Sequence, residues 1–154
     1  MYAQRERPPK VPLLDAADKE RPEKESLMNE KQERMMDLRM KGYCCSQIVM
    51  QMGLDHLGKE NPDLIAASAG LCDGMYSGKT CGILSAAICL LYLADPEEAS
   101  MSAVSDLTDW FEATFEATDC TELLGEDPAG AKMRKCPMML EATFQMVEEL
   151  LDWD

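Results

Sequence analysis

Apolar residues recur along this chain at helical rather than strand intervals, in separate runs divided by turn residues. The first run predicts a helix capped by Ser26, with Met28, Met35, Met36 and Met40 on one face and Gly42 at its end. A second helix runs from about Cys45 to Leu57, with Ile48, Val49, Met52 and His56 at helical spacing. Asn61-Pro62 opens a third that reaches about Leu71, because proline suits a first helical turn. Gly70, Gly74, Gly78 and Gly82 then mark an irregular loop. Thr80 reads as the cap of a fourth helix that continues to Ala94 and is stopped by Asp95-Pro96. Its residues Ile83, Leu84, Ala86, Ala87, Ile88, Leu90, Leu91 and Leu93 leave almost no polar face, the pattern of a helix buried on all sides.

A fifth helix, Ser102 to about Ala117, turns Val104, Leu107, Trp110, Phe111, Thr114 and Phe115 inward and Asp106, Asp109, Glu112 and Glu116 outward. The sixth begins at Cys136-Pro137 and buries Leu140, Phe144, Val147 and Leu151. No alternating strand appears, so the expected fold is all-α: a compact bundle of five to six helices around the central one at about residues 81–94. Residues 1–25 hold Pro8, Pro9, Pro12 and Pro22 among alternating charges and read as a flexible tail, with Val11, Leu13 and Leu14 able to dock on a groove. Residues 26–154 form the single domain, as a chain of 154 residues suggests.

Composition narrows the function. The balance of 15 Lys+Arg against 29 Asp+Glu gives −14, which argues against nucleic acid or an anionic membrane as partner. The longest apolar stretch, Ile83 to Ala94, is too short to span a bilayer. The single histidine, His56, excludes a His-x-x-x-His zinc site and reads as a surface or capping residue. Ser77-Gly78-Lys79-Thr80 superficially resembles a phosphate loop, but three residues separate Gly74 from Gly78 instead of four, and no buried strand leads into it. Thirteen methionines, some paired as Met35-Met36 and Met138-Met139, suit core filling better than an adaptable groove.

The seven cysteines are the informative feature. The N-terminus shows no signal peptide and the count is odd, so the expectation is a soluble, cytoplasmic protein with reduced or metal-bound thiols. Cys45 opens the second helix, Cys81 follows the Thr80 cap, Cys120 lies in a short helical turn and Cys136 precedes Pro137. All four therefore fall at helix N-termini, where free N–H groups and the dipole favour thiolate. Cys89 sits mid-helix among apolar neighbours as a small hydrophobe, and Cys44 and Cys72 are either auxiliary thiols or filler.

Gly42-Tyr43-Cys44-Cys45-Ser46-Gln47, Gly78-Lys79-Thr80-Cys81-Gly82, Cys120-Thr121-Glu122-Leu123-Leu124 and Cys136 resemble, in order, the C-GCAxxG-C-C proteins, small helical proteins described as redox-active. The resemblance spans roughly residues 30 to 152 and carries the family's four cysteines onto Cys45, Cys81, Cys120 and Cys136. Two departures stand out: read as Cys-Gly-Ala-x-x-Gly, the pattern falls on Cys81-Gly82-Ile83-Leu84-Ser85-Ala86 with Ile83 in place of Ala and Ala86 in place of Gly, and Cys44 stands where Asn is common.

The leading expectation is an iron–sulfur cluster, most simply [2Fe–2S], held by these four cysteines for electron transfer, with Gly74, Gly78 and Gly82 letting backbone N–H groups approach the sulfurs. The acidic surface would then steer a basic protein redox partner. The alternatives are thiol–disulfide exchange by the same cysteines without a cofactor, and a structural zinc site in an interaction module. The Met-rich face and the tail are the candidate surfaces for a homodimer. No catalytic acid–base pair is recognisable.

Overall fold

The computed structural model describes residues 21–153; Val11, Leu13, Leu14 and most of the expected tail lie outside them. Helix α1 (Arg21–Met40) starts five residues before Ser26. Its inward face is not the methionine face. Leu38 is 2% exposed and Met35 packs on the core, whereas Met28, Met36 and Met40 are exposed. Burial of Leu38 sets that face, and on the same side Lys31 Nζ donates to Glu148 Oε2 at 2.7 Å. At 3.6 residues per turn, Met36 and Met40 then fall on the opposite flank.

Helix α2 (Cys45–Leu57) ends at Gly58, whose φ of 63° is the left-handed stop that glycine tolerates. Helix α3 (Pro62–Ser68) is capped by Asn61, whose Oδ1 accepts from Leu64 N–H at 3.1 Å, and tightens into a final turn at Ala69–Leu71. Helix α4 (Gly82–Ala94) is the centre, with Ile83, Leu84, Ala86, Ala87, Leu90 and Leu91 fully buried against α2 and the later helices. It is not covered on every side, because Cys89 and Tyr92 form an open stripe; Cys89 is therefore exposed and not core filling.

Asp95 Oδ1 accepts from Glu98 N–H at 3.1 Å and starts the single turn α5 (Pro96–Glu98). That turn leads through a widened stretch, Ala99–Ala103, into α6 (Val104–Phe115). The fifth helical region thus begins at Pro96, ahead of the expected Ser102. Leu107 and Phe111 are fully buried, and Phe111 and Phe115 meet edge to face at 4.8 Å between centroids. Thr114, expected inward, is exposed in the last turn, where no neighbouring element covers it.

Helix α7 (Cys120–Leu124) is short, and α8 (Pro128–Leu150) is the longest. Asp127 caps α8 and Pro128 occupies its first turn, so the sixth helix begins at Pro128 and not at Cys136. Pro137 lies inside it, removing one backbone donor within a helix that packing on α4 and α7 sustains. Among the described residues the extended backbone pairing is a single bridge, Thr80 with Asp119, and the fold is all-α. None of the described helices is long and apolar enough to cross a membrane. His56 is exposed and stacks on Trp153 at 4.0 Å.

One contact governs how closely the central helices approach. A Cβ at Gly53 would stand 2.2 Å from Leu90 Cδ1, so only glycine lets α2 close on α4 at that point. Those two helices carry Cys45 and Cys81 at their starts.

Candidate redox site

Backbone pairing brings Cys81 and Cys120 together. Cys81 N–H donates to Thr118 O at 2.8 Å, and Cys120 N–H donates to Lys79 O at 2.7 Å. These bonds clamp the start of α4 against the start of α7, and Thr121 Oγ1 adds a bond to Gly78 O at 2.9 Å. Cys45, the first residue of α2, and Cys136, in the middle of α8, close the arrangement. All four line one cavity of about 200 Å³, together with Cys44 and Cys72. Ile48, Leu123, Leu124, Met139 and Leu140 supply apolar wall, and Arg39, Asp73 and Lys132 supply charge.

At these sulfurs burial works against the thiolate form that helix starts favour. Burial pushes the Cys45 thiol up to about 12, with the Cys81 and Cys136 sulfurs adding repulsion; the Ser46 N–H opposes this less strongly. Burial likewise raises Cys81 to about 11 against the helix-start N–H groups of Ile83 and Leu84. Cys120 is raised by burial and by the Asp73 carboxylate, with Lys132 opposing. Cys136 is raised by burial and Cys120, with Arg39 and Lys132 opposing. Helix-start hydrogen bonds do favour thiolate at Cys45 and Cys81, but desolvation in a shared apolar cavity is larger. Cys136 has no helix start at all. Binding a thiophilic cation there would displace the protons that burial favours on these thiols.

The three glycines serve close backbone packing. A Cβ on Gly74 would meet the Lys79 backbone at 2.3 Å, one on Gly78 the Thr121 hydroxyl at 2.0 Å, and one on Gly82 the Leu71 carbonyl at 2.6 Å. Of the three, Gly82 lines the cavity. The α4 cap is Cys81 itself, with Thr80 in the bridge to Asp119. Asp73, Gly74, Met75 and Tyr76 take left-handed conformations in succession, with φ between 53° and 60°. For the three that are not glycine this costs about 1–2 kcal/mol each. The turn aims the Asp73 carboxylate at Lys132 on α8, where the two form an ion pair.

Sequence reasoning missed Asp73, Lys132 and Arg39 as wall residues, since nothing local distinguishes them from other surface charges. It also left Cys44 and Cys72 open. They form a disulfide across 28 residues, with their Cα atoms 6.3 Å apart, while the other five cysteines are free.

A helical bundle that gathers six cysteines from separate segments around one cavity defines a class: small cysteine-centred redox proteins. The chain belongs to the C_GCAxxG_C_C family, described as "putative redox-active protein", whose model matches residues 43–150. No curated protein and no solved structure matches it.

Proposed function

We propose that Cys45, Cys81, Cys120 and Cys136 hold an iron–sulfur cluster, most simply [2Fe–2S], and that the protein transfers electrons. The observation that carries this reading is the convergence of the four cysteines on one largely apolar cavity. Four soft sulfur donors suit iron–sulfur chemistry, and a bound cluster would supply a one-electron couple. Among the described residues, no three His, Cys, Asp or Glu side chains are arranged to hold a metal ion, so binding would draw the four cysteines closer together. The second reading is disulfide exchange by the same four cysteines; thiolate is the reacting form in both readings, so burial of the thiols weighs on both alike. Arg39 and Lys132 at the wall would offset part of the negative charge of a four-thiolate site. The net charge of −14 suits a basic protein partner.

The test is iron, zinc and acid-labile sulfide content, with a visible spectrum, on protein purified without oxygen. Iron and sulfide in stoichiometric amounts, lost in Cys81→Ser and Cys136→Ser but kept in Cys89→Ser, is the expected result. Zinc without sulfide would replace the cluster by a structural metal. A colourless, metal-free protein whose four thiols oxidise in pairs would replace it by disulfide chemistry.

A further inference from the structure

Most of the cysteines in this chain are free, so Cys44–Cys72 is not part of a stapled framework of the kind that holds small secreted domains together. Nor does the start of α2 depend on it. Cys44 N–H donates to Gln47 Oε1 at 3.1 Å, and Gln47 Nε2 donates to Ile65 O at 3.2 Å. Ser46 Oγ donates to Ser68 O at 2.7 Å, a second tie from α2 to α3. Cutting the disulfide would leave these bonds in place.

The surroundings of the two sulfurs differ. Cys44 is half-buried and opens onto the cavity, whereas Cys72 is 3% exposed. Beside both stands the hydroxyl of Ser46, itself fully buried, 2.7 Å from Cys72 Sγ and 3.4 Å from Cys44 Sγ. The Ser46 proton is engaged by Ser68 O, so its oxygen is free to accept. A Cys72 thiol would therefore complete a chain, S–H to Ser46 oxygen and Ser46 O–H to Ser68 carbonyl. The structure already holds the acceptor for the proton that reduction places on this buried sulfur.

We propose that Cys44 and Cys72 are a second redox centre, a reducible disulfide that takes two electrons from a dithiol, small molecule or protein, with Cys44 the sulfur attacked and Cys72 the sulfur released. A first thiol of the reductant attacks Cys44 Sγ; the Cys44–Cys72 bond breaks, a mixed disulfide forms, and Cys72 takes up the proton the attacking thiol gave up. The second thiol of the reductant then attacks its own sulfur in the mixed disulfide and releases Cys44 as a thiol. The dithiol leaves as a disulfide, and two electrons and two protons have moved to the protein. Ser46 acts as a positioning residue for the released sulfur. This centre goes beyond the four-cysteine reading and does not rest on what those four hold.

The experiment equilibrates the folded full chain with graded ratios of reduced to oxidised dithiothreitol, quenches by alkylation and maps the peptides, resolving Cys44 from Cys45 by fragmentation. Cys44 and Cys72 should become alkylated together, with a first-power dependence on the ratio. In Cys72→Ser, the remaining Cys44 should form a mixed disulfide with oxidised glutathione at least about tenfold faster than Cys72 does in Cys44→Ser, because access sets the rate. Ser46→Ala should shift the midpoint ratio by roughly two- to tenfold towards the disulfide, the value of one lost hydrogen bond. A pair that stays oxidised at ratios that reduce it in the urea-unfolded chain would make it a structural staple and overturn the proposal. So would a pair that is never oxidised, or faster capture of Cys72. The readout uses no iron, so failure here and failure of the cluster reading are separate results.

Discussion

Gly53→Ala probes the contact that sets the distance between the two helices bearing Cys45 and Cys81. The added Cβ would lie 2.2, 2.5 and 2.9 Å from Cδ1, Cδ2 and Cγ of Leu90, so the whole isobutyl group must move, not one methyl. Leu90 is 0% exposed and has no open space to turn into. Overpacking of this kind costs about 1–3 kcal/mol. Replacing glycine by alanine inside a helix returns about 1 kcal/mol, so the net loss is about 0–2 kcal/mol. The decisive comparison is with Leu90→Ala, which alone should cost about 2–5 kcal/mol by opening a cavity. In that background the clash is absent, and Gly53→Ala should stabilise by about 1 kcal/mol. The sign of the Gly53 substitution thus inverts, with a coupling of about 1–3 kcal/mol. Urea unfolding of the four proteins, kept under one fixed reductant, measures the cycle. Additivity within about 0.5 kcal/mol, the behaviour of independent sites, would refute the argument.

Other expectations follow from the same geometry. Folding holds protons on Cys45 and Cys81 that an unfolded chain gives up near pH 9.0, so stability from this source is complete below pH 9.0 and is lost as pH rises towards 11 and 12. The urea midpoint of the metal-free, reduced protein should fall from pH 9 to pH 10.5, and a flat profile would contradict the burial of these thiols. Lys132 lowers and Asp73 raises the Cys120 thiol, so iodoacetamide should alkylate Cys120 more slowly in Lys132→Ala and faster in Asp73→Asn at pH 8; equal rates would remove these charges from the site's electrostatics. Asp127 Oδ1 accepts from Gly130 N–H at 3.2 Å, and Asp127→Ala should cost about 1 kcal/mol, read as a lower urea midpoint. An unchanged midpoint would mean that α8 does not depend on this cap.

Local pattern determined a good deal about this protein. Periodicity and caps specify α2 and α4 almost to the residue, because a helix boundary is set by neighbours in the chain: Pro62 after Asn61, Gly58 after Leu57, Asp95-Pro96 after Ala94. The ordered cysteine motifs pointed to the family that the chain belongs to. Where two local signals competed, the sequence was ambiguous. Asp127-Pro128 and Cys136-Pro137 both look like helix starts, and only packing of α8 along α4 and α7 shows that Pro137 is inside one. The α1 methionines form an apolar face by spacing, yet packing on the bundle buries Leu38 in place of Met28, Met36 and Met40, with Lys31 reaching Glu148 across 117 residues on the same side. The state of the thiols belongs wholly to the tertiary structure. Helix starts favour thiolate, but the desolvation that outweighs them comes from walls contributed by α1, α7 and α8, which no sequence neighbour of Cys45 or Cys81 encodes. The Cys44–Cys72 bond is of the same kind: a pairing in space, decided when α3 and its final turn fold back onto the start of α2.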